Sequence, residues 1–156
     1  MLYLFASAIG FVAGLRSMTA PAAIAWAAHL DWLHLDDTPL AFLSSAPAAY
    51  LLTVLMLGEL VADQLPKTPS RTRPGPFVAR IVTGGLSGAA LVAGTGGSLA
   101  LGAVLGALGA VAGTLGGYRA RTRLVPALGV PDYVVALGED VVAVGGAFLT
   151  LLAASS

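Results

Sequence analysis

The sequence contains no cysteine among its 156 residues, which excludes disulfides, thiol nucleophiles and thiolate metal sites. Charge is nearly as scarce: eight Lys or Arg and eight Asp or Glu make up 10% of the chain and cancel formally. A soluble domain carries about 25% charged residues on a largely polar surface, and this chain cannot build one. A formal charge of zero gives no electrostatic reason for a nucleic-acid partner, and none is expected. Also missing are a Walker loop, a nucleophile elbow, a zinc motif and a dinucleotide fingerprint, so nothing assigns a cofactor, a metal or a catalytic residue. The first 15 residues are apolar but lack a basic n-region, and they read as a retained span rather than a cleaved signal.

What is abundant is hydrophobicity, at 57% of residues with a mean hydropathy of +0.87, together with 20 glycines. A crossing helix takes about 20 apolar residues, so the chain has room for five or six spans and little else. The expected fold is an all-α membrane protein, one polytopic domain over 1–156, surrounded by the lipid bilayer. Polar or Pro/Gly punctuation cuts out six segments, at 2–15, 19–34, 40–65, 77–94, 98–117 and 131–154. The first two are short. Arg16-Ser17-Met18-Thr19-Ala20 before Pro21 also fits a broken or re-entrant turn, which would leave five spans.

The connecting charges give the direction. Arg16, then Lys67, Arg71 and Arg73, then Arg119, Arg121 and Arg123 fall on one side of a six-span chain, and Asp31, Asp36 and Asp37 fall on the other. The positive-inside rule makes the basic side cytoplasmic, so a multi-pass inner-membrane protein with both termini external is expected. Tyr3, Trp26 and Trp32 toward the outside and Phe77, Tyr118 and Tyr133 toward the inside suit interfacial belts. With no native cysteine to interfere, Asp36→Cys and Arg71→Cys are expected to label from opposite faces of sealed vesicles; labelling from one face would remove the six-span topology.

The halves look alike. Gly10-x-x-x-Gly14 corresponds to Gly84-x-x-x-Gly88, and Leu57-Gly58-Glu59 to Leu137-Gly138-Glu139. A duplicated three-span unit, with repeats 1–66 and 77–154, would insert its second copy inverted, as in many transporters. Glycines at 102, 106, 109, 113 and 117 recur every three or four residues, a ridge that lets helix backbones approach closely. The expected result is a tight glycine-rich bundle, and the same ridge could join copies in a homo-oligomer.

The chemistry centres on carboxylates. A charged side chain deep in a bilayer costs about 2.5 to 3.5 kcal/mol even on insertion scales, so Glu59 and Glu139 are the first functional candidates. Glu59 and Asp63 are four apart on one helical face, and Asp140 adjoins Glu139. The four acids are expected to form one ion- or proton-exchanging site with Arg16 and Arg80 as charge partners. Ser17, Thr19, Ser70, Arg71 and Thr72 are candidates for a phosphate or lipid headgroup, because hydroxyls and arginine forks match phosphate oxygens; positive-inside charge on a Pro-ordered loop is the preferred account of the basic residues. His29 and His34 lie near Asp31, Asp36 and Asp37 in what reads as a solvated loop.

Gly14-Leu15-Arg16-Ser17-Met18-Thr19-Ala20-Pro21-Ala22, Glu59-x-x-x-Asp63-x-Leu65-Pro66-x-x-Pro69-Ser70-Arg71-Thr72-x-Pro74, Arg80 with Gly84-Gly85, and Glu139-Asp140 together resemble a bacterial integral membrane family catalogued as domain of unknown function 4126. The resemblance runs from about residue 8 to 150. It implies a small glycine-rich polytopic protein and one motif set containing these polar residues, and it supplies no activity. Glu59-x-x-x-Asp63 with Pro69-Ser70-Arg71-Thr72 is also similar to the paired-acid and Ser-Arg-Ser elements of undecaprenyl pyrophosphate phosphatases, although this chain is shorter, has Asp for the second acid and lacks the phosphate-loop glycine. The leading expectation is therefore a transporter or channel coupled to a small cation or protons. The alternatives are a lipid-phosphate enzyme or flippase working at the cytoplasmic face, and a structural membrane subunit.

Overall fold

Serine or proline starts the helices that begin at Ala46, Pro74 and Leu99, and glycine follows the last residue of those that end at Ala93 and Leu128. In the computed structural model, which describes residues 1–63 and 72–155, six α-helices follow in order: α1 (Leu2–Leu15), α2 (Thr19–His29), α3 (Ala46–Ala62), α4 (Pro74–Ala93), α5 (Leu99–Leu128) and α6 (Asp132–Ser155), with a single 3-10 turn at Ala41–Ser44. Ser45 and Ser98 accept hydrogen bonds from the amides of Ala48 and Leu101, capping α3 and α5. Prolines occupy the first turns of α3 and α4, where the missing N–H has no intrahelical acceptor to lose. α5 ends at Gly129, whose φ of 62° is a left-handed conformation that a side chain would disfavour. No strand occurs among the described residues.

Three helices, α4, α5 and α6, are long and apolar enough to cross a membrane, and α1 and α3 are shorter apolar helices. With their lipid-facing surfaces (Leu51, Val54, Val104, Leu108, Val141 and Leu149 are all exposed), they make this an integral membrane protein. The first two segments fall short of full spans. At 1.5 Å per residue α1 is about 21 Å long and α2 about 16 Å, against a hydrocarbon core of about 30 Å. The N-terminal residue of α1, Leu2, lies beside Gly97, and Leu33, just beyond α2, lies beside Gly94, so the start of α1 and the end of α2 share one end of the bundle. α1 runs in, the chain breaks at Arg16–Met18, and α2 runs back out.

The expected repeats are built of unequal parts, since α1, α2 and α3 have 14, 11 and 17 residues where α4, α5 and α6 have 20, 30 and 24. α5 also continues well past the expected end at 117, carrying Arg119, Arg121 and Arg123 on helix instead of in a connection.

The interior is narrow because α1, α4 and α5 touch backbone to backbone. A Cβ on Gly106 would strike the Gly84 carbonyl and come within 3.0 Å of the Gly88 Cα, and one on Gly10 would strike the Gly106 carbonyl. Around this contact Ile9, Ile24, Leu91, Val92, Ala143 and Ala147 are buried, so α1, α2, α4 and α6 share one core. α3 stands at the edge, with Ala49 its single buried residue.

Candidate functional site

The break between α1 and α2 sets the site. Arg16 still donates its amide to the Val12 carbonyl at 2.9 Å, then turns extended, with φ −140° and ψ 111°. Away from water, each amide and carbonyl exposed by such a break needs a partner. Side chains from three other helices supply them. The Gly14 carbonyl accepts from Arg80 Nη1 at 3.3 Å and Thr114 Oγ1 at 3.1 Å. On the other side of the break, Glu59 accepts from the Ser17 amide, the Ser17 hydroxyl and the Met18 amide, each at 2.8 Å. Its carboxylate thus sits on the N-terminus of α2, where the helix dipole favours negative charge.

Around the same break the charged residues converge. Arg16, with no solvent exposure, donates Nε to Asp140 Oδ1, Nη1 to Asp63 Oδ2 and Nη2 to the Ala136 carbonyl at 3.3 Å. Arg80 Nη2 lies 3.5 Å from Glu59 and 3.7 Å from Asp63. Glu59, Asp63 and Asp140 keep only 12–13% of their side-chain surface exposed. One network therefore ties the α1–α2 break to the C-terminal end of α3 and the N-terminal halves of α4 and α6. Buried pairs of this kind gain little net stability, because desolvation offsets the attraction, yet losing one partner strands the other.

Glu139 turns another way. Its Oε2 lies 3.6 Å from Arg121 Nη1, and Arg121 also forms a fork on Asp132, with Nε to Oδ1 at 2.7 Å. Asp63 also adds to the negative field at Arg121. Of the expected exchange residues, Glu59, Asp63 and Asp140 gather around Arg16 and Arg80, while Glu139 joins α5. Ser17 belongs to the network through Glu59. Thr19 is buried with a hydroxyl that has no partner among the described residues, Thr72 is exposed, and Ser70 and Arg71 lie outside the described residues. His34, Asp31, Asp36 and Asp37 are exposed, and no group of three or more His, Cys, Asp or Glu among the described residues is arranged to hold a metal ion.

Two members were not foreseen. Arg121 reads from sequence as topogenic charge, yet it closes the α5–α6 turn; the signal was its position eleven residues before Asp132 with Gly129 and Pro131 between. Thr114 was hidden among the glycines of α5, and its burial beside Gly14 was the missing information.

The family described as Domain of unknown function (DUF4126) matches residues 3–155. No curated protein and no solved structure matches the chain.

Proposed function

Because the chain belongs to the DUF4126 family, whose description carries no activity, the reading comes from the site, and we propose a small transporter of the bacterial inner membrane, coupled to protons or a small cation. Its exchange site is the network of Glu59, Asp63 and Asp140 with Arg16 and Arg80, and Glu139 with Arg121 is its neighbour. The observation that carries this reading is the fully buried Arg16 shared by two carboxylates at a break between two short helices. Ionisable groups inside a membrane mark proton and ion paths, and discontinuous helices are where transporters hold their ions.

The cycle we infer is an exchange of partners. A proton or cation arriving at Asp63 weakens its pairing with Arg16 and Arg80, and Glu59, which also lies beside Arg80, takes up the change. Because Glu59 holds the N-terminus of α2, any shift at Glu59 moves the break itself. The lipid-phosphate alternative, which would use Arg16 with Ser70 and Arg71, has less support, because Arg16 is already engaged by two carboxylates.

The test is flux in proteoliposomes. The wild type is expected to dissipate an imposed pH or monovalent-cation gradient faster than empty vesicles, and Asp63→Asn or Glu59→Gln to reduce that rate at least tenfold while the protein stays folded. Wild-type vesicles as tight as empty ones, across protons and the alkali cations, would defeat the reading and favour a structural subunit.

A further inference from the structure

The charges of the network do not balance. Around the α1–α2 break stand three carboxylates, Glu59, Asp63 and Asp140, and two guanidiniums, Arg16 and Arg80, so among the described residues the fully ionised group carries one negative charge in excess. The neighbouring charges leave that excess in place: Arg121 faces Glu139, and its other partner, Asp132, has a side chain 61% exposed and is screened by water. The three acids differ in which oxygens remain open. Glu59 has donors on both, the Ser17 amide and hydroxyl sharing Oε1 and the Met18 amide holding Oε2. Asp63 engages Oδ2 alone, toward Arg16 and Arg80, and Asp140 engages Oδ1 alone, toward Arg16. Asp63 Oδ1 and Asp140 Oδ2 accept no hydrogen bond among the described residues, yet they are not sealed off, since the fully buried side-chain oxygens without a partner there are Thr19 Oγ1 and Ser44 Oγ. Both open oxygens therefore belong to the 12–13% of side-chain surface that stays exposed.

We propose that the network exchanges a single proton and no metal cation, and that Asp63 and Asp140, acting as a pair, take it up on one of these two open oxygens. One proton cancels the excess charge. The O–H bond forms on a lone pair that no donor occupies, and both arginines keep their own protons. Groups this close titrate together, so the proton belongs to the pair. Facing the pair are Arg16 from the break, Arg80 from α4, Glu59 from α3 and, farther out, Arg121 from α5. A metal cation has no comparable place. Arg16 turns Nε and Nη2 toward Asp140 and the Ala136 carbonyl of α6, and Nη1 toward Asp63 at the end of α3, so its guanidinium stands between the two carboxylates. A cation held by both would have to displace Arg16, and one held by either would lie against a guanidinium of its own sign. Hard cations also gather about six oxygens, where a proton needs one.

The proton's part in exchange rests on the transport reading, but its site is tested without flux. In infrared difference spectra of the detergent-solubilised protein, acidification is expected to raise the carboxylic-acid C=O band of one buried carboxyl per protein. Asp63→Asn and Asp140→Asn should each abolish that band, because either leaves two carboxylates facing two guanidiniums, while Asp36→Asn, at an exposed position, leaves it unchanged. Asparagine keeps the shape of the side chain and an oxygen for Arg16; should one of the two variants fail to fold, the other carries the test. Sodium or potassium added at constant pH should produce no carboxylate shift that depends on Asp63. Retention of the band in either variant, or its absence from the wild type, would overturn the proposal, as would a cation-induced shift that Asp63→Asn removes. The two readings fail separately. Cation flux in proteoliposomes without the band would sink the proton and keep transport, whereas the band in a protein whose vesicles stay tight would sink transport and keep the proton site.

Discussion

Arg16→Met is expected to destabilise the protein by about 3–5 kcal/mol, the usual consequence of removing one partner from a buried charge network. Methionine matches much of the arginine stem, so the loss measures charge and hydrogen bonding more than volume. What remains is Asp63 and Asp140 facing each other across the vacated space, each largely shielded from water. The measurement is the unfolding midpoint in detergent. The triple variant Arg16→Met/Asp63→Asn/Asp140→Asn should recover most of the loss, because neutral amides leave no stranded ions, and the three sites are in contact and cannot behave additively. If Arg16→Met were as stable as the parent, Asp63 and Asp140 would have to be hydrated or protonated already. Under the transport reading the rescued triple variant is folded and inert, which separates the network's part in the fold from its part in exchange.

Why the acids pair otherwise than the two matching triplets suggest is a matter of helix rotation. Glu59 and Asp63 share a face at a spacing of four, and the structure keeps them together. Arg16 and Arg80 are buried in the same region. The two Leu-Gly-Glu triplets, however, suggest Glu139 as the counterpart of Glu59, and it is Asp140 that meets Arg16. Successive residues on a helix point about 100° apart, so Glu139 and Asp140 cannot both face the break. Which one does is set by how α6 packs through Ala136, Ala143 and Ala147, a choice made by tertiary contacts.

The helices were legible for a simpler reason. Apolar runs bounded by Pro, Gly and Ser gave all six, with α1 starting and ending where the pattern placed it. The extension of α5 was missed because charge was read as the end of the helix. Arginine and alanine are good helix formers, and α5 runs on past them, through Pro126 in its last turn, to Gly129 and Pro131. The break at Arg16–Met18 was visible as a polar interruption before Pro21. That its open ends would be closed by Glu59, Arg80 and Thr114 was not, because the closing residues are 41 to 100 positions away.

Gly106→Leu is expected to prevent a stable bundle from forming, and Gly106→Ala to lower stability by about 1–3 kcal/mol, as overpacking does. The reason lies in what surrounds the position. An added Cβ meets the Gly84 carbonyl and the Gly88 Cα on α4, and the Gly106 carbonyl itself abuts α1 at Gly10. Those neighbours are backbone, with no rotamer to change, so α4 and α1 would have to move apart. Inside a membrane no hydrophobic drive opposes that movement, because lipid wets the separated surfaces as well as protein does. Intrinsic propensity acts in the opposite sense, since alanine in a helix interior is favoured over glycine by about 1 kcal/mol. Gly145 of α6 provides the control: nothing lies within 4 Å of its added Cβ, so Gly145→Ala should be neutral or stabilising. Unfolding midpoints of the variants in one detergent decide between packing and propensity. If Gly106→Ala were as stable as Gly145→Ala, the contact of α1, α4 and α5 would be looser than its geometry implies, and the core would have to be held mainly by the charged network at the α1–α2 break.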